Sequence, residues 1–175
     1  DFFRRQITNA LAARNELDLA RNSNGMRLIH AESDGLPGLI VDKYGDVLVM
    51  RGQAPRTPRT QKGAATMDAN IDLRYWSMCK YRSVADGAVD SCIYDEQAPV
   101  DAAGRTLIVV SSPAARPSNA RTECGVAWMP WGAGDGIDDG RELGQEAVIG
   151  SRDAGAGGVV GVDHDAHILG IESDR

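Results

Sequence analysis

The run Arg27-Leu28-Ile29-His30-Ala31-Glu32-Ser33-Asp34-Gly35-Leu36-Pro37-Gly38-Leu39-Ile40-Val41-Asp42-Lys43-Tyr44-Gly45-Asp46 carries the densest structural instruction in the chain. Two short apolar stretches flank a segment with turn chemistry, which predicts a β-hairpin. Residues 26–31 read as one strand, 34–38 as the turn and 39–44 as the next strand. Gly35 and Gly38 supply backbone at positive φ, and Pro37 fixes its own φ between them. Glu32 and Asp34 stand at the mouth of the turn, where carboxylates accept backbone N–H groups. Leu36, Leu39, Ile40 and Val41 supply packing, and Asp42 follows on the second strand. The motif therefore reads as a structural turn rather than a ligand contact. Gly45-Asp46 makes a second turn, and residues 47–50 a third strand.

Working outward, residues 1–20 predict a helix. Phe3, Ile7, Ala10, Leu11, Leu17 and Ala20 recur near a 3.6-residue period and form one apolar stripe. Asn22-Ser23-Asn24-Gly25 is a stop signal.

Helix and motif together resemble a segment of the RlmI-like family of class I, S-adenosylmethionine-dependent rRNA cytosine methyltransferases. The family pattern is R-L-V-x-x-E-x-D-G-L-P-G-L-x-V-D-x-Y-G-D, and the likeness covers residues 1–50. It implies a spacer of mixed helix and strand between an RNA-contacting PUA domain and a Rossmann-like catalytic domain. It further implies structured RNA as partner, a cytoplasmic location, and S-adenosylmethionine as cofactor only where the catalytic domain is supplied. The family's cofactor loop, of the type D-x-F-x-x-x-G-G, is not found in the sequence. Its cysteine nucleophile is not matched either, because Cys92 sits in Ser91-Cys92-Ile93-Tyr94. The expectation is a non-catalytic fragment or fusion.

Residues 51–70 have no periodicity and contain Pro55 and Pro58, so they predict an extended linker and a domain boundary. Residues 71–133 predict strands at 73–78, around 93–94, at 106–111 and at 126–129. Trp76, Trp128 and Trp131 read as core anchors. Three cysteines, Cys79, Cys92 and Cys124, permit one disulfide and leave one thiol, with the pairing open. Runs around Leu73–Cys79, 101–105, 116–120 and 124–132 look similar to an uncharacterised β-rich domain of exported bacterial proteins. That second resemblance implies an exported location, where a disulfide would persist. Residues 134–175 form an acidic Gly-rich tail, with strands at 147–149 and 159–162 and a helical start at 166–169 cut by Gly170. The fold class expected is α+β: an N-terminal helix and β-hairpin, a mostly β section, and a Gly/Asp-rich tail. The parts fall at 1–50, 51–70, 71–133 and 134–175.

Charge follows the same divisions. The net charge is -6. Residues 134–175 hold 3 basic and 10 acidic side chains, whereas 51–70 hold 4 and 1. An acidic tail repels nucleic acid, and the basic stretch is too short to form a binding footprint alone. No apolar run is long enough to span a membrane. The N-terminus lacks the apolar core of a signal peptide. No P-loop, G-x-S-x-G or catalytic triad spacing occurs.

Two candidate sites lie in the tail. Gly158–Asp163 reads as a strand ending in an acid; in Rossmann-type methyltransferases such an acid binds the cofactor ribose, which makes Asp163 the candidate. Gly155-Ala156-Gly157-Gly158 lies too close to it to be the glycine loop. His164 and His167, flanked by Asp163 and Asp165, have a spacing that would share a divalent metal on a helical turn. A solvated polar turn is the plainer reading. Three function classes follow, in order: a non-catalytic RNA-associated relative of the methyltransferases, an exported β-rich binding or structural domain without enzyme activity, and a metal-dependent enzyme using the His/Asp cluster.

Overall fold

The computed structural model describes residues 2–17, 23–63, 70–83, 88–131, 146–151, 159–162 and 168–171. The chain opens with helix α1 (Phe2–Asn15). Strands β1 (Gly25–His30), β2 (Ile40–Tyr44) and β3 (Val47–Gln53) follow. Next come β4 (Trp76–Ser83), β5 (Ala88–Tyr94), β6 (Arg105–Ser111) and β7 (Ala127–Pro130). Last are β8 (Glu146–Ser151), β9 (Val159–Val162) and β10 (Ile168–Ile171). Among the described residues, one α-helix with mostly antiparallel sheet is an α+β arrangement.

In α1, Ile7 and Ala10 are buried and Leu11 half-buried, so the stripe at spacings of three and four faces the core. The helix ends earlier than the expected residue 20. Phe3 is 48% and Leu17 60% exposed, so these two residues of the predicted stripe do not pack, and Ala20 lies outside the described residues. Arg14, in the last turn, suits the negative end of the helix dipole and turns its Nη1 back to the Ala10 carbonyl.

The main sheet has the order β1-β2-β3-β6-β7. A register shift in β1 falls between Arg27 and Ile29. Strict alternation would send Leu28 and Ile29 to opposite faces; the bulge goes with burial of both, at 5% and 0% exposure. β6 alternates, as its β-branched run predicts. Ile108 and Val110 enter the larger core with Ile7, Val41 and Met50, while Val109 and half-buried Leu107 face a second core with Val126 and Trp128. The central sheet is thus covered on both faces.

The expected break at 51–70 is not a break in this sheet. β3 runs on to Gln53 and pairs antiparallel with β6 from Val47↔Ser111 to Gln53↔Arg105. Beyond it, Ala54 and Pro58 are buried, the Ala54 N–H donates to the Gly104 carbonyl, and the Arg56 N–H to Asp72. The physical reason is hydrogen-bond accounting. A proline has no N–H to satisfy, so an aperiodic Pro-containing strip can lie against the body once its few donors find partners. The larger core likewise joins Leu28, Ile29 and Met50 to Trp76, Met78, Ile93 and Met129, across the expected boundary.

β4 is the centre of a second sheet, β5-β4-β8, and begins at Trp76 rather than at residue 73. Cys79 and Cys92 face each other in the β4–β5 register and are disulfide-bonded; Cys124 is free and exposed. Trp76 and Met78 of this sheet pack into the larger core. β9 and β10 pair antiparallel, so Ile168–Ile171 is a strand where the sequence reads as a helical start. Gly170, a poor helix residue, is accommodated in that pairing.

Candidate functional site

The motif residues are brought together around one turn. Ala31–Asp34 form a single 3-10 turn, closed by Gly35 at φ 68° and ψ 23°. The Gly35 N–H donates to the Glu32 carbonyl and the Leu36 N–H to the Ala31 carbonyl. Leu36 drops into the core at 3% exposure, whereas Pro37 and Gly38 stay at the surface. Gly38 also holds a positive φ, 78°. Ala31 sits at φ 43°, an uncommon value for a side-chain-bearing residue, with its N–H tied to the Leu39 carbonyl.

The two aspartates of the motif are committed to arginines. Asp34 takes two hydrogen bonds from the Arg14 guanidinium and one, at 2.6 Å, from the His30 N–H. Burial pushes the Asp34 carboxyl up, but the Arg14 and His30 hydrogen bonds and the Arg14 charge outweigh it and hold it below the ordinary carboxylate value. Asp42 lies opposite Arg27 in the β1–β2 register and receives Nε at 2.7 Å and Nη2 at 3.1 Å. The Asp42 hydrogen bond and charge raise the Arg27 guanidinium above its ordinary value. Glu32 is exposed. These residues staple α1 to the turn after β1, and β1 to β2. They leave no carboxylate pair poised for acid–base work on a ligand.

The tail candidates Asp163, His164, Asp165 and His167 lie outside the described residues. Among the described residues no group of three or more His, Cys, Asp and Glu side chains could hold a metal ion. A Rossmann cofactor site needs parallel strands joined through helical crossovers. Among the described residues the parallel pair is β6–β7, and its connection carries only a 3-10 turn, Thr122–Cys124. The described residues therefore do not fit S-adenosylmethionine. No helix of the described residues is long and apolar enough to cross a membrane.

The structure reveals a cleft that sequence reasoning missed. It holds about 510 Å³ and opens between the strip after β3 and the loop after β5. Arg56, Arg59 and Lys62 line it from the strip, and Asp95 and Glu96 from the loop. Trp76, 7% exposed, also lines it. The Gln61 N–H donates to Glu96 Oε1 at 2.8 Å, and Tyr94 Oη meets Gln61 Oε1 at 3.3 Å, so the two walls are tied. Arg56 grips Asp72 through Nε and Nη2. That hydrogen bond, with the Arg56 N–H, pulls the Asp72 carboxyl down to about 2. The available signal was the basic excess of 51–70. The carboxylates that face it across the cleft lie some 35 residues away, and nothing in the spacing announces them.

No family model matches the chain, and no solved structure matches it. Curated relatives match a short part of it. Ribosomal RNA large subunit methyltransferase I of Shewanella denitrificans is 55% identical over 49 residues, 28% of this chain and 12% of the relative. The enzymes of that name from Shewanella frigidimarina and Vibrio cholerae are 53% and 51% identical over the same length. The chain thus spans about an eighth of the length of the relatives it matches, 12% in each case. One segment of the chain is similar to ribosomal RNA large subunit methyltransferase I.

Proposed function

We propose that this chain is a non-catalytic, RNA-associated relative of the rRNA methyltransferases. The observation that carries the proposal is the 49-residue similarity, at 51–55% identity, to enzymes named for ribosomal RNA. The non-catalytic part is supported by the cysteines. A nucleophile for cytosine must be a free thiolate, whereas Cys79 and Cys92 are bonded to one another, and the free Cys124 does not stand in the family's cysteine context. The role that fits is a folded module that sits on or beside structured RNA. S-adenosylmethionine enters only through a catalytic domain supplied elsewhere. The test is binding of a labelled rRNA hairpin to the full chain across a salt series. The expected result is affinity that falls linearly in log–log form. Failure to bind at low salt, about 50 mM, would overturn the proposal.

A second reading, the exported β-rich domain, would account for the Cys79–Cys92 bond. Such bonds persist in oxidising compartments and are rare in the cytosol. Location thus divides the two readings. The RNA reading requires the cytoplasm.

A further inference from the structure

We infer that the cleft beside Trp76 takes one unpaired RNA nucleotide carrying an exocyclic amino group. Its phosphate lies toward Arg59 and Lys62, and its base toward Asp95. This rests on the RNA reading above and says where and how a base is read. The volume, about 510 Å³, lies in the range of small-molecule sites.

The charges argue for the class of ligand. Arg56 is engaged with Asp72. Arg59 and Lys62 are exposed and form no ion pair among the described residues. Asp95 and Glu96 line the same cleft, yet neither closes onto those cations. Opposite charges held apart on two tied walls suit a ligand that is anionic at one end and a hydrogen-bond donor at the other. A nucleotide is such a ligand.

The acceptor wall is fixed and still has capacity. Glu96 Oε1 is held by Gln61, while Glu96 Oε2 is buried without a hydrogen-bond partner. Asp95 uses Oδ1 on the Glu96 N–H, which orients the carboxylate. A carboxylate accepts from the amino group of cytosine; uracil presents a carbonyl oxygen at that position and is repelled. Trp76, Ala98 and Pro99 give an apolar surface for the ring. Reading an unpaired base by its edge is the usual mode of sequence-specific RNA recognition.

The experiment is fluorescence anisotropy of labelled oligocytidylate and oligouridylate of equal length with the full chain at low salt. Wild type is expected to favour oligocytidylate about tenfold. The double variant R59A/K62A, at two exposed positions, is expected to lose about tenfold in affinity for both and to show a shallower salt slope. Asp95→Asn keeps an acceptor for the Glu96 N–H and should reduce the cytidine preference to about twofold or less. Circular dichroism checks that each variant is folded. Equal binding of the two oligonucleotides by wild type overturns the base assignment. A structured rRNA bound equally well by wild type and R59A/K62A overturns the cleft and leaves the RNA reading standing. No binding of any RNA by wild type overturns both.

Discussion

Arg14 and Asp34, twenty residues apart, meet through two parallel hydrogen bonds of 2.7 Å each. The pair joins the last turn of α1 to the turn between β1 and β2, and both side chains are largely buried, at 16% and 10% exposure. A bidentate pair of this kind is geometrically exacting, and losing one partner leaves the other charge poorly solvated. Asp34→Ala is therefore expected to cost about 2 kcal/mol of stability, below the cost of breaking a fully buried pair. Arg14→Leu should cost about as much, because it leaves the largely buried Asp34 carboxylate with only the His30 N–H. A double-mutant cycle by urea unfolding should give a coupling of about 1–2 kcal/mol. Coupling indistinguishable from zero would show that the pair is incidental.

Acid should weaken the fold through the same group. The Asp34, Asp72 and Asp101 carboxyls are all held below their ordinary 3.8 in the folded chain. For Asp101 the main cause is the Arg105 N–H. Each group is more acidic folded than unfolded, so the unfolded chain binds more protons below 3.8. Their stabilisation is fully present above that value and is lost as pH falls through the folded values, toward about 2 for Asp72. Asp72 and Asp101 are at the surface, where salt screens their share. The urea midpoint should hold from neutral pH down to about pH 5 and then fall. In Asp34→Asn the fall should be shallower. A midpoint that rises on acidification below pH 4 would contradict the assignment.

Gly35 and Gly38 both lie at positive φ, 68° and 78°, but in different surroundings. A Cβ at Gly35 would land on the Gln6 side-chain amide, whereas one at Gly38 meets only Gln53 Cβ at 3.9 Å. Alanine at either site pays the left-handed backbone cost of about 1–2 kcal/mol. Because Gln6 Nε2 is the far end of a flexible side chain that can swing aside, Gly35→Ala and Gly38→Ala should lose similar amounts, and adding Gln6→Ala to the first should change little. Thermal melts of the three variants decide it. A clearly larger loss at Gly35 that Gln6→Ala relieves would show that the Gln6 amide is held in place and cannot move aside.

The helix, the hairpin and β6 were legible because their signals are local. Ile7 and Ala10 repeat on one helical face, Gly35 and Gly38 mark a turn, and 106–111 is β-branched and apolar. What was not legible is non-local. Nothing in the run from Arg51 to Arg59 announces that β3 pairs with a strand some fifty residues on, and its prolines argue for a linker. The bulge that buries both Leu28 and Ile29 breaks the alternation a simple pattern expects. The cleft is hidden for the same reason. Its cations and carboxylates come from two loops that only the β3–β6 and β4–β5 pairings bring together. The motif aspartates were visible as residues, yet their arginine partners were not, because Arg14 and Arg27 reach them through tertiary and cross-strand contacts.

The Cys79–Cys92 bond links neighbouring strands across a sequence separation of 13. Constraining so short a loop in the unfolded chain stabilises by about 3 kcal/mol at most. Mass spectrometry after alkylation should find Cys124 as the one modified cysteine in the oxidised chain. Reduction, or Cys92→Ser, should then lower the urea midpoint without abolishing folding, because β4 and β5 keep their ladder. Alkylation of all three cysteines in protein purified without reductant would show that the bond does not form.

The sheet that crosses residues 51–70 predicts how the whole chain unfolds. Trp76, Trp128 and Trp131 all lie after that strip, while α1 lies before it. Trp76 shares a core with Ile7 and Ala10 of the helix, and β3 is hydrogen-bonded to β6 along its length. Loss of either half would strip β3 or β6 of its partner and expose part of the same core, so neither half is expected to stay folded alone. Urea unfolding followed by far-UV circular dichroism and by tryptophan fluorescence on one sample should give coincident, cooperative transitions. Two separated midpoints would mean that the parts at 1–50 and 71–133 fold independently, and that the pairing of Val47–Gln53 with Arg105–Ser111 does not bind them into one unit.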